Sequence, residues 1–125
     1  MSSPEAESFS TLICRQLRDR ALSLPETSEG SSCVNRAFRV RNKNFFFLGE
    51  KPDHIYAMVK LKDSLLAAEA MEDARVSVGK FGWLTLRFPA DGHIDEQVLS
   101  DWILESYRNF APKALVRQLD HESGR

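Results

Sequence analysis

Residues 54–62 constrain this chain more than any other segment. Ile55, Ala57, Val59 and Leu61 alternate without a break against Tyr56, Met58, Lys60 and Lys62. A period of two is the side-chain repeat of a β-strand, because successive Cβ atoms point to opposite faces. One apolar side and one cationic, amphipathic side mean a strand half-buried in a sheet covered on one face. Such a strand needs neighbours, and the preceding residues supply them. Phe38 and Val40 alternate with Ala37, Arg39 and Arg41, and Arg41-Asn42-Lys43-Asn44 suits a tight turn because Asn tolerates positive φ. Phe45 to Glu50 is a second strand, apolar on both faces, and Glu50-Lys51-Pro52-Asp53 is a second turn. Two short turns in succession predict a three-stranded antiparallel meander over residues 33–62.

Helical spacing frames the meander. Phe9, Leu12, Ile13, Leu17, Ala21 and Leu24 form a stripe that begins near the capping pair Ser3-Pro4 and stops at Pro25. Residues 26–32 read as a polar loop. Asp63-Ser64 starts a short second helix with Leu65, Leu66, Ala68, Ala70 and Met71 available for burial, ending near Glu72-Asp73. Arg75 to Val78 reads as a short edge strand. Gly82 to Phe88 is a stronger one, with Leu84, Leu86 and Phe88 opposite Trp83, Thr85 and Arg87. Asp95 caps a third helix striped by Val98, Leu99, Trp102, Ile103 and Tyr107, with Ile94 stapled to Leu99. Pro112 opens a last helix through Leu119, and residues 120–125 form a frayed tail. The order is helix, three strands, helix, two strands, two helices. This is an α+β pattern: a twisted antiparallel sheet with helices chiefly on one face. The 125 residues fit a single domain, 1–125, with an ordered core over about 4–119. A chain of this size buries roughly two-thirds of its unfolded surface without needing a metal or disulfide.

Charge narrows the function classes. The formal net charge is −1, which excludes a histone-like polycation but not a local basic patch. The distribution is uneven: residues 1–30 carry −2, residues 31–62 carry +5 and residues 63–125 carry −4. If the apolar strand positions face the helices, the opposite face collects Arg39, Arg41, Tyr56, Met58, Lys60, Lys62, Trp83, Thr85 and Arg87. Cations there can meet phosphates, and Tyr56 and Trp83 offer flat surfaces to bases or to an apolar ligand. Lys43 sits at a hairpin tip within reach of a backbone phosphate. The plainer alternatives are a solvated basic sheet face and a Trp83 covered by the C-terminal helix or a partner subunit.

The remaining chemistry is sparse. Met1 to Glu7 is acidic and polar, unlike a secretory signal, and no run approaches the ~20 apolar residues of a membrane span. Cys14 and Cys33 form no Cys-x-x-Cys pair, and reduced thiols in a cytoplasmic protein are expected. His54, His93 and His121 show no metal-ligand spacing, and Glu69, Glu72 and Asp73 make only a small acidic cluster. Gly79-Lys80-Phe81-Gly82 lacks the spacing of a phosphate loop. No catalytic residue, metal site or cofactor is expected.

Several segments carry a resemblance. They are Leu22-Ser23-Leu24-Pro25-Glu26, Phe38 through Phe46 across the first hairpin, Met58-Val59-Lys60-Leu61-Lys62, Gly79-Lys80-Phe81-Gly82-Trp83-Leu84, and Glu105-Ser106-Tyr107-Arg108. Together, and in this order, they resemble the MmcQ/YjbR-like family of small bacterial proteins. Asn42 departs from the usual Gly before Lys43, and Asn can adopt the same backbone. The resemblance implies a compact fold of the frataxin-like or secretion-chaperone-like kind and a DNA-binding label with a pair of hairpin wings. The expectation is a non-catalytic protein, monomeric or weakly dimeric, binding DNA through Arg39, Arg41, Lys43, Lys60, Lys62, Lys80, Trp83 and Arg87. The rivals are a peptide-interaction module using the aromatic sheet face and a protein with a small-ligand pocket between sheet and helices.

Overall fold

A computed structural model describes residues 9–32, 35–70, 75–89 and 96–122. In chain order the elements are α1 (Phe9–Leu22), β1 (Thr27–Ser32), β2 (Asn35–Val40), β3 (Lys43–Glu50), β4 (His54–Lys60), α2 (Leu65–Glu69), β5 (Arg75–Val78), a 3-10 turn (Lys80–Gly82), β6 (Trp83–Pro89), α3 (Glu96–Phe110) and α4 (Lys113–Glu122). The strands form one antiparallel six-stranded sheet in the order β1-β2-β3-β4-β6-β5. The fold is α+β. Helices α1 and α3 lie against β3 and β4, on the face where the alternating apolar residues point. Ile55, Ala57 and Val59 of β4 and Leu84, Leu86 and Phe88 of β6 are all buried there, with Phe38 and Val40 of β2. From the helices, Ile13, Leu17 and Ala21 meet Leu99, Trp102, Ile103 and Tyr107 in the same core.

The doubly apolar run Phe45–Leu48 is accommodated by a bulge. Phe38 pairs with Phe46 but the next residue, Arg39, pairs with Asn44, so Phe45 is an extra residue in β3. Phe46 stacks on Phe38 with ring centroids 5.2 Å apart. Phe45 meets Tyr107 of α3 edge-on at 5.5 Å. Two consecutive phenylalanines can thus both be buried where strict alternation would expose one.

Several expectations are corrected. Residues 26–32, read as a loop, contain β1, so the meander has four strands. Thr-Ser-Glu-Gly-Ser-Ser carries no apolar pattern because an edge strand needs a ladder on one side only, and this one is fixed by Glu29. That carboxylate takes Arg18 Nε of α1 at 2.7 Å and Arg36 Nη1 of β2 at 2.5 Å. The last helix runs to Glu122, past the expected end at Leu119, and Asp120 is held by Arg108 Nη2 at 2.5 Å. Leu66 is 81% exposed and Ala70 is exposed, so α2 buries Ala68 rather than its whole apolar set. Leu12 of the first stripe is 41% exposed. The expected helix start at Ser3-Pro4, the end of α2 at Glu72-Asp73, the Asp95 cap, Ile94, His93 and Cys33 lie outside the described residues. No helix among the described residues is long and apolar enough to cross a membrane.

Candidate nucleic-acid interface

The face of the sheet turned away from α1 and α3 follows from the strand registers. Arg39 lies on it in β2, and Phe47 in β3 is level with Met58 in β4 and Thr85 in β6. Lys60 stands opposite Trp83, and Tyr56 opposite Arg87. Arg87 in turn stands opposite Arg75 of β5. The strands contain only two carboxylates, Glu29 and Glu50. Both belong to the other face: Glu29 pairs with Arg18 of α1 and Arg36, and Glu50 accepts from Thr11 Oγ1 of α1 at 2.6 Å. Among the described residues, the six strands therefore place Arg39, Lys60, Arg75 and Arg87 on the outer face with no Asp or Glu of the sheet beside them. Like charges directly opposite across a ladder disfavour the sheet, and Arg75 faces Arg87 in that position. Arg87 lies 5.6 Å above the Tyr56 ring, a cation–π placement that offsets part of the cost. Asp53 in the β3–β4 turn lies within electrostatic reach of Arg75. Its carboxyl is held low first by a hydrogen bond with His54 at 2.8 Å and last by the charge of Arg75.

The eight expected residues do not stay together. Arg39, Lys60 and Arg87 share the outer face. Arg39 is half-buried and its Nε lacks a hydrogen-bond partner. Its Nη2 lies over β1, an ordinary contact distance of 3.8 Å from where a Cβ at Gly30 would stand. Lys60 sits 5.4 Å above the ring of Phe110. Lys43, Lys62 and Lys80 are exposed at the sheet's ends, in or beside turns, rather than on its face. Arg41 leaves the set altogether. Its Nε and Nη2 grip Glu26 at 2.5 and 3.1 Å, which raises the proton affinity of the guanidinium and lowers that of the carboxyl. A cation already joined to a carboxylate adds little field at a phosphate. Trp83 is half-buried, with Phe47 at 5.9 Å and Phe110 at 5.7 Å. The C-terminal end of α3, rather than the C-terminal helix α4, lies against it. Arg75 is the residue that sequence reasoning passed over, although its alternation with Val76 was visible.

The end of α3 defines how far the face is open. Asn109 Nδ2 donates to the Lys60 carbonyl at 2.8 Å, and Phe110 rests on Trp83 and Lys60. Ser106, fully buried, accepts from Lys60 N–H at 2.9 Å and donates to the Phe45 carbonyl at 2.5 Å. Phe45 and Lys60 stand one step beyond the last β3–β4 pair, Phe46 with Val59, so the hydroxyl completes a ladder that the bulge has opened. Tyr107 donates to the Pro25 carbonyl at 2.8 Å. Glu105 accepts from Lys62 N–H, Ser64 N–H and the Ser64 hydroxyl at 2.7, 3.1 and 2.7 Å, tying the β4–α2 turn to α3. With Arg108 on Asp120, Glu-Ser-Tyr-Arg makes four adjacent ties to different segments.

Glu105 gives this arrangement a pH dependence. Burial pushes its carboxyl up, but the Ser64 hydroxyl and the N–H groups of Lys62, Ser64 and Asp63 outweigh that and hold it below the ordinary value. A depressed carboxyl stabilises the fold above its unfolded pKa, about 4.3, and that contribution disappears as pH falls through the folded pKa. The stability difference between wild type and Glu105→Gln, measured by urea unfolding, is expected to be largest above about pH 5 and to shrink below about pH 4. A difference independent of pH counts against the assignment.

A sequence model of the YjbR family matches residues 22–109, from the end of α1 almost to the end of α3. No curated protein matches the chain.

Proposed function

The chain belongs to the YjbR family, and we propose that it is a non-catalytic, cytoplasmic DNA-binding protein whose outer sheet face contacts phosphates. The observation that carries this reading is the row of cations with no carboxylate of the sheet among them, above all Arg75 set opposite Arg87. Like charges set directly opposite one another are costly to the isolated protein, and a polyanion relieves the cost. Arg39, Lys60, Arg75 and Arg87 supply the charge, with Lys43, Lys62 and Lys80 at the ends of the sheet. Tyr56 and Trp83 are occupied by Arg87, Phe47 and Phe110, so stacking on bases contributes little and the binding is phosphate-led. No sequence preference is expected.

Binding to a short labelled duplex, followed by fluorescence anisotropy between about 50 and 200 mM salt, tests this. Arg39→Ala, Lys60→Ala and Arg87→Ala are each expected to weaken binding. Each is also expected to flatten the log–log salt slope, by about 0.9 for every phosphate no longer neutralised. Arg41→Ala is expected to leave the slope nearly unchanged, because Glu26 already neutralises it. No affinity at the lowest salt, or equal effects for Arg41 and Arg87, overturns the reading.

A further inference from the structure

The strands β5 and β6 are joined by Gly79-Lys80-Phe81-Gly82, and the one apolar side chain of this turn stays in water: Phe81 is 81% exposed. A single exposed apolar residue is ordinary. The backbone that presents this one is not. Phe81 has φ 59° and ψ 28°, in the left-handed region, where the Cβ of an L-residue crowds the following carbonyl oxygen. A bulky side chain there is an outlier that its surroundings must hold in place. Three hydrogen bonds do so. Gly79 N–H donates to the Trp83 carbonyl at 2.7 Å, Trp83 N–H donates to the Lys80 carbonyl, and Leu61 N–H donates to the Gly82 carbonyl at 3.0 Å. The turn is thus fixed to β4 and β6, and it carries a ring that the fold does not bury. Asn or Gly would suit the backbone and Lys the exposure, whereas Phe serves neither.

The turn borders the outer face. Trp83, which follows it, stands opposite Lys60 on that face, and Lys60 Cγ lies 3.9 Å from where a Cβ at Gly82 would be. Lys80, next to Phe81, is exposed. Among the described residues, neither Lys60 nor Lys80 is joined to a carboxylate. Lys62 adds little, because Asp63 follows it and Glu105 accepts from its N–H. An apolar ring set between two cations matches a partner with anionic charge outside and an apolar interior close beneath. Duplex DNA is built that way, with phosphates at its surface and stacked bases inside. Apolar wedges that enter from the minor groove open a base step and kink the duplex. We propose that Phe81 is such a wedge, inserted between adjacent base pairs while Lys60 and Lys80 hold phosphates on either side. A wedge reads no base edge, so the binding stays without sequence preference. The inference rests on the DNA reading above and adds to it a contact with the base stack that phosphate-led binding lacks.

Fluorescence anisotropy of the full chain with a matched duplex, and with the same duplex carrying one central mismatch, tests it. A mismatched step is already partly unstacked, so a wedge has less to open there. The wild type is expected to bind the mismatched duplex about tenfold more tightly than the matched one. Phe81→Asn removes the ring and keeps a residue that tolerates the left-handed backbone. It is expected to bind both duplexes alike, with the salt slope unchanged because Lys60 and Lys80 remain. Phe81→Leu keeps an apolar wedge and is expected to keep the preference. Affinity for the matched duplex with no mismatch preference, or a preference that survives in Phe81→Asn, overturns the wedge and leaves the phosphate-contact reading standing. No affinity for either duplex overturns both. Phe81-dependent sedimentation with phosphatidylserine vesicles, in place of the mismatch preference, overturns the wedge in favour of a lipid surface.

Discussion

Ser106→Ala is expected to destabilise the fold by about 2–4 kcal/mol, because it strands a buried carbonyl and a part-buried N–H at once. The Lys60 N–H and the Phe45 carbonyl would pair with each other if β3 continued regularly past Phe46. The bulge at Phe45 separates them, and the Ser106 hydroxyl fills the space by accepting from one and donating to the other. An unpaired buried donor or acceptor costs about 1–3 kcal/mol, and alanine offers neither function. Domains of this kind retain only about 5–15 kcal/mol in total, so the loss is a large fraction. It is read as a lower midpoint in urea with little change in slope. Ser100→Ala, in the same helix but only partly buried, provides the comparison and is expected to stay within about 0.5 kcal/mol of wild type. A Ser106→Ala cost as small as that of Ser100→Ala would show that the hydroxyl bridge contributes nothing.

Gly82→Ala is expected to cost about 2–3 kcal/mol, for a backbone reason. Gly82 has φ 84°, in the left-handed region, directly after Phe81 at φ 59°. A Cβ at Gly82 would lie 2.5 Å from the Leu61 carbonyl oxygen, a backbone atom that cannot swing aside. Leu61 N–H also donates to the Gly82 carbonyl at 3.0 Å, so any separation breaks the bond that closes β4 against the β5–β6 turn. The left-handed backbone costs an alanine about 1–2 kcal/mol, and the lost hydrogen bond about 1 more. Gly30→Ala is the contrasting case. Its Cβ would meet only Arg39 Nη2 at an ordinary 3.8 Å, with no positive φ, so a neutral or slightly stabilising change is expected. Equal effects at the two glycines would remove the conformational argument.

These two sites differ in how legible they were. Gly82 reads as the first residue of the strand through Phe88, whereas it closes the 3-10 turn Lys80–Gly82 and β6 begins at Trp83. Nothing local marks Ser106, because a serine among apolar residues near a helix end reads as an ordinary polar position. Its role depends on a bulge 61 residues away in the sequence. The outer face shows the same division. Alternation alone put Arg39, Lys60, Trp83 and Arg87 on one side of the sheet and Val59, Leu84 and Leu86 on the other. It also grouped Arg41 with them, because the sequence around Arg41 gives no sign of Glu26.

Which way the side chains point along β2, β4 and β6 could be read from the order of amino acids, and with it the α+β class and the helix-covered face. Direction is a local property: the extended backbone turns each residue over relative to the last, whatever lies nearby. Which charges stay bare and which rings stay open depends instead on how whole elements pack. Glu26 neutralises Arg41, Phe110 covers Trp83, Glu29 clamps Arg18 to Arg36, and Thr27–Ser32 becomes a strand by pairing with β2. Each of these is a meeting of residues separated along the chain, brought within a few ångströms by the assembled fold, and no local pattern encodes it.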